Sequence, residues 1–571
     1  MADTVKTQKE IKGQVPDLTG HAPCFIVLMR ICAALVNIKS MFVDYDVDNA
    51  YAVATSVRHV LYGDRLFLQM WEPHQTSSFV ADALSFVFLK MTGGNVSFLT
   101  LWLHAWGIIL YGAVTLCLFL FLRDRTEKHI AHLICIIFFV MRPKQQVFPE
   151  FSNMMIAFSV LLFICLVRYL EDQKVTRVLI LAAVFLCLEI LSYPTAIITY
   201  IPVVIVLVAN CEKKLRSFLV FSGTCLLCGS AYVLYFALSM GPSVFVSNLL
   251  NVFKGDSSHN FSRLELISSP YYYRELLIAM GMVLFSAVLS FVITRIMKRR
   301  HLFLALMTLI YAVTEILVSV VVHVKGIYGF ATTYMCSVFY LLVVALGLRG
   351  MRSGKSSEKV MVIPGLLISA SSVLAVMLLS NESLITFTGY WVLGAAVSVI
   401  PYVRREKESG SRAAYLFLAS LCLMFLAHRG FMARDMAGPT NLLSVSSYYR
   451  FGPAKGIFCS YMPGYENRIK YDDWMSAVRP DDMVLIYAES YALDTSQYLY
   501  AGAGISHYST ICTSTYDERL YEYWEDFPEK FPTVIVLEEE PPEGSMMDRL
   551  VSEKFVLYYE GEFCSFYRVK P

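Results

Sequence analysis

The sequence predicts a polytopic α-helical membrane protein with about thirteen spanning helices and a small α/β domain at its C-terminus. Three observations lead there. Of 571 residues, 56% are hydrophobic and only 16% charged, whereas soluble chains are about a quarter charged. The first 22 residues, the short loops and the region after Ala433 hold most of the charge, so the net charge of +2 hides a segregation and nucleic acid is not an expected partner. Past Ala433 the apolar runs shrink from helix length to strand length.

Residues 1–22 are polar and precede the first apolar stretch by too far for an ordinary signal peptide, so they read as an uncleaved cytoplasmic leader. Apolar runs suited to about 30 Å of hydrocarbon lie near 24–43, 98–122, 129–142, 151–170, 176–193, 195–210, 217–240, 275–297, 302–322, 330–348, 360–380, 384–403 and 412–430. Ser78–Met91 is too short to span comfortably and is expected as an interfacial or re-entrant helix. Most of the 14 cysteines sit singly inside apolar runs as small buried hydrophobes, and no disulfide framework is expected.

Lysine and arginine set the orientation. With the N-terminus inside, Arg123–Lys128, Glu171–Arg177, Glu212–Arg216, Lys298–Arg300, Arg349–Lys359 and Arg404–Arg412 become compact basic inner loops. Counting Ser78–Met91 as a span would put them outside. Residues 23–432 therefore form the membrane domain, with a first outer loop at 44–97, and residues 433–571 an extracytoplasmic domain. In that domain Met483–Tyr487 and Thr533–Leu537 suit buried parallel strands, Leu493–Gly502 and Asp517–Phe527 suit helices, and Phe555–Tyr559 with Cys564–Val569 suit a closing hairpin.

The chemistry concentrates in the first outer loop. Asp44, Asp46 and Asp48 alternate beside the first helix. Carboxylates at a bilayer interface repel one another, so a proton, a metal or a cationic group must balance them; the competing structural role is capping of a helix at Asn49–Leu61. Trp71, Glu72, Pro73, His74 and Gln75 follow. This mixture suits metal ligation or hydrogen bonding to a sugar, with an aromatic-belt anchor as the structural alternative. Outer-face cations are few: Arg58 and His59, Arg142 and Lys144, His323 and Lys325. Each suits a phosphate, or snorkels toward lipid headgroups. The long loop Gly241–Arg274 carries His259.

These motifs resemble the GT-C membrane glycosyltransferases, and within them the branch of the protein O-mannosyltransferases and lipid A aminoarabinose transferases. Asp48-Asn-Ala-Tyr51 is similar to that branch's Asp-Glu-x-Tyr, and Trp71-Glu72-Pro73 to its Glu-Lys-Pro-Pro. Two positions depart: Asn49 replaces the second acid, and the lysine is missing. The resemblance implies transfer of a sugar, with inversion, from a polyprenyl-phosphate-linked donor to an extracytoplasmic glycan, cell-wall polymer or lipid. Asp48 is then expected as general base, with Asp46 the second choice. Tyr51, Arg58, Trp71, Glu72, His74, Gln75, Arg142, Lys144, His323 and Lys325 are expected to bind substrate. It also implies a divalent metal, for which Glu72, His74 and His259 are the candidate ligands. Other classes remain open: a transporter or flippase of lipid-linked sugars, a glycan polymerase or ligase, and a noncatalytic scaffold for surface polysaccharide assembly. A transporter is expected to carry more charge at mid-membrane than Glu189 and Glu315 provide.

Overall fold

The computed structural model describes residues 22–71, 75–143, 146–255, 262–325, 332–352, 356–436, 438–488, 503–507 and 516–571. The predicted leader, the helix expected at Leu493–Gly502, and Glu72, His74, Lys144 and His259 lie outside them.

Each of the thirteen predicted apolar runs contains a helix. These helices are α1 (Ala22–Val43), α4 (Leu99–Leu122), α5 (Lys128–Val140), α6 (Phe151–Glu171), α7 (Thr176–Ser192), α8 (Tyr200–Asn210), α9 (Lys214–Met240), α12 (Pro270–Ile296), α13 (Phe303–Val324), α14 (Val338–Met351), α15 (Ser356–Leu379), α16 (Val392–Glu408) and α17 (Ala413–Phe431). Four of these are extended at their start by 3-10 turns, Pro194–Thr199 before α8, Arg300–Leu302 before α13, Thr332–Ser337 before α14 and Thr386–Trp391 before α16. Among the described residues, ten segments are long and apolar enough to cross a bilayer. α5, at 13 residues, and α7, at 17, are shorter, as is Pro194–Asn210. The chain is a multi-pass membrane protein.

Burial divides the bundle into centre and rim. The window at Thr386–Glu408 is 94% buried by protein, that at Lys214–Met240 only 11%, so α16 is the core helix and α9 faces lipid. α9 and α12 accordingly leave Leu226, Leu227, Leu238, Leu277 and Leu284 exposed, an apolar surface that only hydrocarbon can cover. Small residues bring backbones together at the centre. A Cβ on Gly350 of α14 would stand 2.5 Å from the Pro401 carbonyl oxygen of α16.

The segment after α1 folds into α2 (Val47–Val60) and α3 (Phe79–Thr92), the latter ended by Gly93 at φ 63°. Two helices precede α12: α10 (Pro242–Gly255) and α11 (Arg263–Ser268). After α17 come β1 (Met432–Asp435) and β2 (Gly438–Asn441), an antiparallel pair, then β3 (Ser447–Tyr448) with β4 (Phe458–Cys459), and α18 (Tyr461–Ala477). The C-terminal sheet has the order β6-β5-β7-β9-β8. Its β5 (Met483–Tyr487) is parallel to β6 (Gly504–Ile505) and to β7 (Val534–Leu537), and β8 (Phe555–Glu560) and β9 (Ser565–Val569) form the expected antiparallel hairpin. α19 (Tyr516–Asp526) and α20 (Met546–Lys554) cover one face.

This domain packs on the 44–97 segment, so the two share one side of the bundle. Phe67 and Trp71 join Phe236, Phe245, Leu520, Tyr523 and Trp524 in one apolar cluster. The Tyr523 hydroxyl donates to the Gln69 carbonyl at 2.8 Å, and Lys530 pairs with Asp64.

Candidate functional site

The three aspartates fall on three different local structures, and that decides what each one does. Asp44 follows the last residue of α1 and pairs across to Arg434 of β1 in an isolated bridge. Asp46 is the N-cap of α2, accepting from the backbone N–H groups of Asp48 and Asn49 at 3.2 and 3.3 Å. Asp48 lies in the first turn of α2, half-buried, where the helix N-terminus favours its negative charge.

Two arginines neutralise the first two. Arg429, near the end of α17, donates to Asp44 at 2.6 Å and to the Ser40 hydroxyl at 2.7 Å. Burial pushes the Asp44 carboxyl up, but Arg429 and Lys39 outweigh it and hold the group below the usual carboxylate range. Arg434 lies 2.5 Å from Asp46 and donates to the Tyr334 hydroxyl at 2.8 Å. Gln146 also donates to Asp46, and accepts from the Asn49 amide at 2.5 Å. His104 of α4 stands 3.5 Å from Asn49 and 2.7 Å from the Met41 carbonyl. The field at Arg434 includes Asp48 and Glu382 as well as Asp46.

Further cations lie beneath this row. Lys39 donates to the Met432 carbonyl. Arg142, only 3% exposed, donates to Asn37 at 2.7 Å and stacks over the Tyr111 ring at 4.8 Å. Its Nε and Nη2 find no acceptor among the described residues. Burial lowers the Arg142 guanidinium to about 10, so it remains charged at neutral pH. Lys39, Arg142 and Arg429 thus surround one carboxylate, Asp44. The nearby Glu150 caps α6 through the N–H groups of Ser152 and Asn153.

The other expected site residues distribute differently. Tyr51 is buried in α2. Arg58 ion-pairs with Asp64 at 3.0 Å, and lies ten residues beyond Asp48 on the same helix, about 15 Å away. Trp71 meets Tyr523 edge to face at 5.3 Å, with Arg519 over its ring at 5.2 Å, and so docks the C-terminal domain rather than lying in an aromatic belt. Gln75 accepts from the Phe67 N–H at 2.7 Å. His323 and Lys325 lie exposed at the end of α13, His323 bonded to Ser444 at 2.8 Å. Asp46, the second candidate base, is committed to its cap and to Arg434.

No protein-family model matches this sequence, and neither does any curated protein. Solved structures align with most of the chain in shape. Against the Archaeoglobus fulgidus oligosaccharyltransferase crystallised with zinc and sulfate, the TM-score is 0.46 at 11% identity, over 95% of this chain and 73% of that one. Against ArnT from Cupriavidus metallidurans bound to undecaprenyl phosphate, it is 0.43 at 10% identity, over 96% and 98%.

Sequence reasoning missed Arg429, Arg434, Gln146 and His104. The two arginines were legible as cations at the outer end of the last apolar run, in His428-Arg-Gly-Phe-Met-Ala-Arg434, but there they read as the start of the tail.

Proposed function

We propose that this chain transfers a sugar from a polyprenyl-phosphate-linked donor to an extracytoplasmic acceptor, with inversion at the anomeric carbon and Asp48 as general base. The observation that carries the reading is the division of charge at the end of α1. Asp44 and Asp46 are locked by Arg429 and Arg434, Asp48 keeps contact with solvent, and the buried Arg142, whose Nε and Nη2 find no acceptor among the described residues, lies beside them with Lys39. A base next to an unsatisfied cationic pocket fits a reaction that takes a proton at one point and releases an anionic phosphate at another.

In this reading the acceptor hydroxyl gives its proton to Asp48 as its oxygen bonds to the anomeric carbon. The bond from that carbon to the phosphate oxygen breaks, and its electron pair leaves with the phosphate toward Arg142. A planar guanidinium with two N–H groups to spare suits that anion, and takes the place of the lysine missing from the Glu-Lys-Pro-Pro pattern. The N-terminus is cytoplasmic and residues 433–571 are extracytoplasmic, the arrangement that leaves the basic loops inside. A divalent metal at Glu72, His74 and His259 remains part of the proposal only as a ligand set, since all three lie outside the described residues.

The test is transfer from synthetic polyprenyl-phosphate sugars to a panel of acceptors by detergent-solubilised protein. Asp48→Asn is expected to lower kcat by at least about a hundredfold without changing thermal stability. Full activity in that variant refutes the assignment of the base. Donor movement in vesicles with no turnover in detergent refutes the enzyme in favour of a flippase.

A further inference from the structure

A second polar constellation lies deeper in the bundle, and the transfer reaction does not use it. Glu315 of α13, Cys336 of the turn Thr332–Ser337 and His428 of α17 come from three separate parts of the chain, and their carboxylate oxygen, Sγ and imidazole nitrogen all lie within 4.8 Å of one another. The three residues are 1%, 0% and 1% exposed. We propose that they form a binding site for a zinc-class divalent metal ion.

Charge gives the first reason. A carboxylate inside a helical membrane bundle needs a positive partner, and the Arg429 guanidinium one residue from His428 donates to Asp44 and Ser40. The polar neighbour of Glu315 is His428, whose Nδ1 lies 3.1 Å from one carboxylate oxygen. Neither that oxygen nor the second one accepts a hydrogen bond among the described residues. The hydroxyl of Tyr311, one turn earlier on α13, donates elsewhere, to the Met335 carbonyl at 2.7 Å. An imidazolium would neutralise Glu315, but it would leave that second oxygen unsatisfied and give Cys336 no role. A metal ion occupies all three donors at once.

Ligand chemistry gives the second reason. One sulfur, one nitrogen and one carboxylate oxygen form a borderline-soft set that selects zinc or cobalt over magnesium or calcium, which take oxygen shells. Tetrahedral zinc with bonds of roughly 2.0–2.3 Å sets its ligands roughly 3.5 Å apart, so small side-chain torsions close the site without backbone movement. The Cys336 thiol gives up its proton on binding, and a fourth position remains for water or another donor.

The site has a place in the architecture. Arg429, which holds Asp44, follows His428 directly, and Tyr334, which holds Arg434, precedes Cys336 by two residues. A metal joining α13, α17 and this turn therefore fixes both arginines that neutralise the aspartate row. It acts as a positioning site, and it does not depend on which reaction the row performs.

The test uses the full-length protein purified in detergent, stripped with a chelator and reloaded with zinc alone or cobalt alone. Wild type is expected to hold about one zinc per chain, and the cobalt form to show thiolate-to-cobalt charge-transfer absorption. Cys336→Ser, a near-isosteric change, is expected to abolish that absorption and weaken zinc binding at least tenfold. Glu315→Gln is expected to weaken zinc binding similarly while keeping the absorption at saturating cobalt. Equal chelator-stripped thermal midpoints of wild type and Cys336→Ser will show that the fold is retained. No stoichiometric zinc in wild type, or binding unchanged in both variants, overturns the proposal.

Discussion

Replacing Asp82 by asparagine should stabilise the protein at neutral pH and not at acid pH. Asp82 lies in the first turn of α3, where the Ser56 hydroxyl of α2 donates to it at 2.6 Å. Burial pushes its carboxyl up to about 6 from 3.8, partly offset by Ser56 and His59. A folded-state value above the unfolded one contributes stability that is fully present below about pH 4 and is lost as the pH rises through about 6. The full shift is equivalent to about 3 kcal/mol, and the residue's remaining exposure reduces the expectation to about 2 kcal/mol. Asparagine keeps an oxygen for Ser56 and carries no charge, so Asp82→Asn should match wild type near pH 4 and exceed it by about 2 kcal/mol above pH 7. The assay is the thermal midpoint in detergent across pH 4 to 8. A variant less stable than wild type at pH 7.5, or a difference that does not change with pH, refutes the reasoning.

Three further outcomes follow from the packing around the site. Arg434→Met strands the Asp46 carboxylate in a buried position and should cost about 3–5 kcal/mol; adding Asp46→Asn should recover much of that, and a double-mutant cycle on unfolding midpoints measures it. Trp71→Ala opens the cluster with Tyr523 and Trp524 and should cost about 3–5 kcal/mol, seen as faster limited proteolysis of residues 433–571 while the membrane domain stays intact. Gly107→Ala places a Cβ against the Val147 carbonyl, so the 146–150 segment must shift and Gln146 must loosen its bonds to Asp46 and Asn49. The expected loss is about 1–3 kcal/mol, read as a lowered thermal midpoint.

The bundle was legible because lipid-facing and core helices both need long apolar runs, and each of the thirteen runs contains a helix. Strand-length runs gave the C-terminal sheet for the same reason: β5 and β7 are buried on both faces and read as continuous apolar stretches. Exact helix extents were less legible. Pro194 and Thr386 begin 3-10 turns, so a single apolar run holds two helical forms. The site was legible only where its residues are close in sequence. Asp44, Asp46 and Asp48 announce themselves as a row, but nothing local shows that Arg429 and Arg434, nearly four hundred residues away, neutralise two of them. Trp71 and Arg58 are the complementary case. Aromatic and cationic side chains next to a membrane suit substrate and headgroups equally well, and only tertiary contact shows them holding Tyr523 and Asp64.

That long-range pairing bears on why three carboxylates persist beside hydrocarbon. Alternate residues on an extended strand would present all three to the same environment. Here the chain changes structure every two residues, from the end of α1 to the N-cap of α2 to its first turn, and each aspartate meets a different environment. Asp44 and Asp46 are then stable only once α17 and β1 deliver their arginines, so the start of the membrane domain and the junction that follows its last helix complete the cluster together. Until they do, two buried carboxylates lack partners, a cost of several kcal/mol each. The aspartate row therefore makes closure of the bundle and assembly of the candidate site one event.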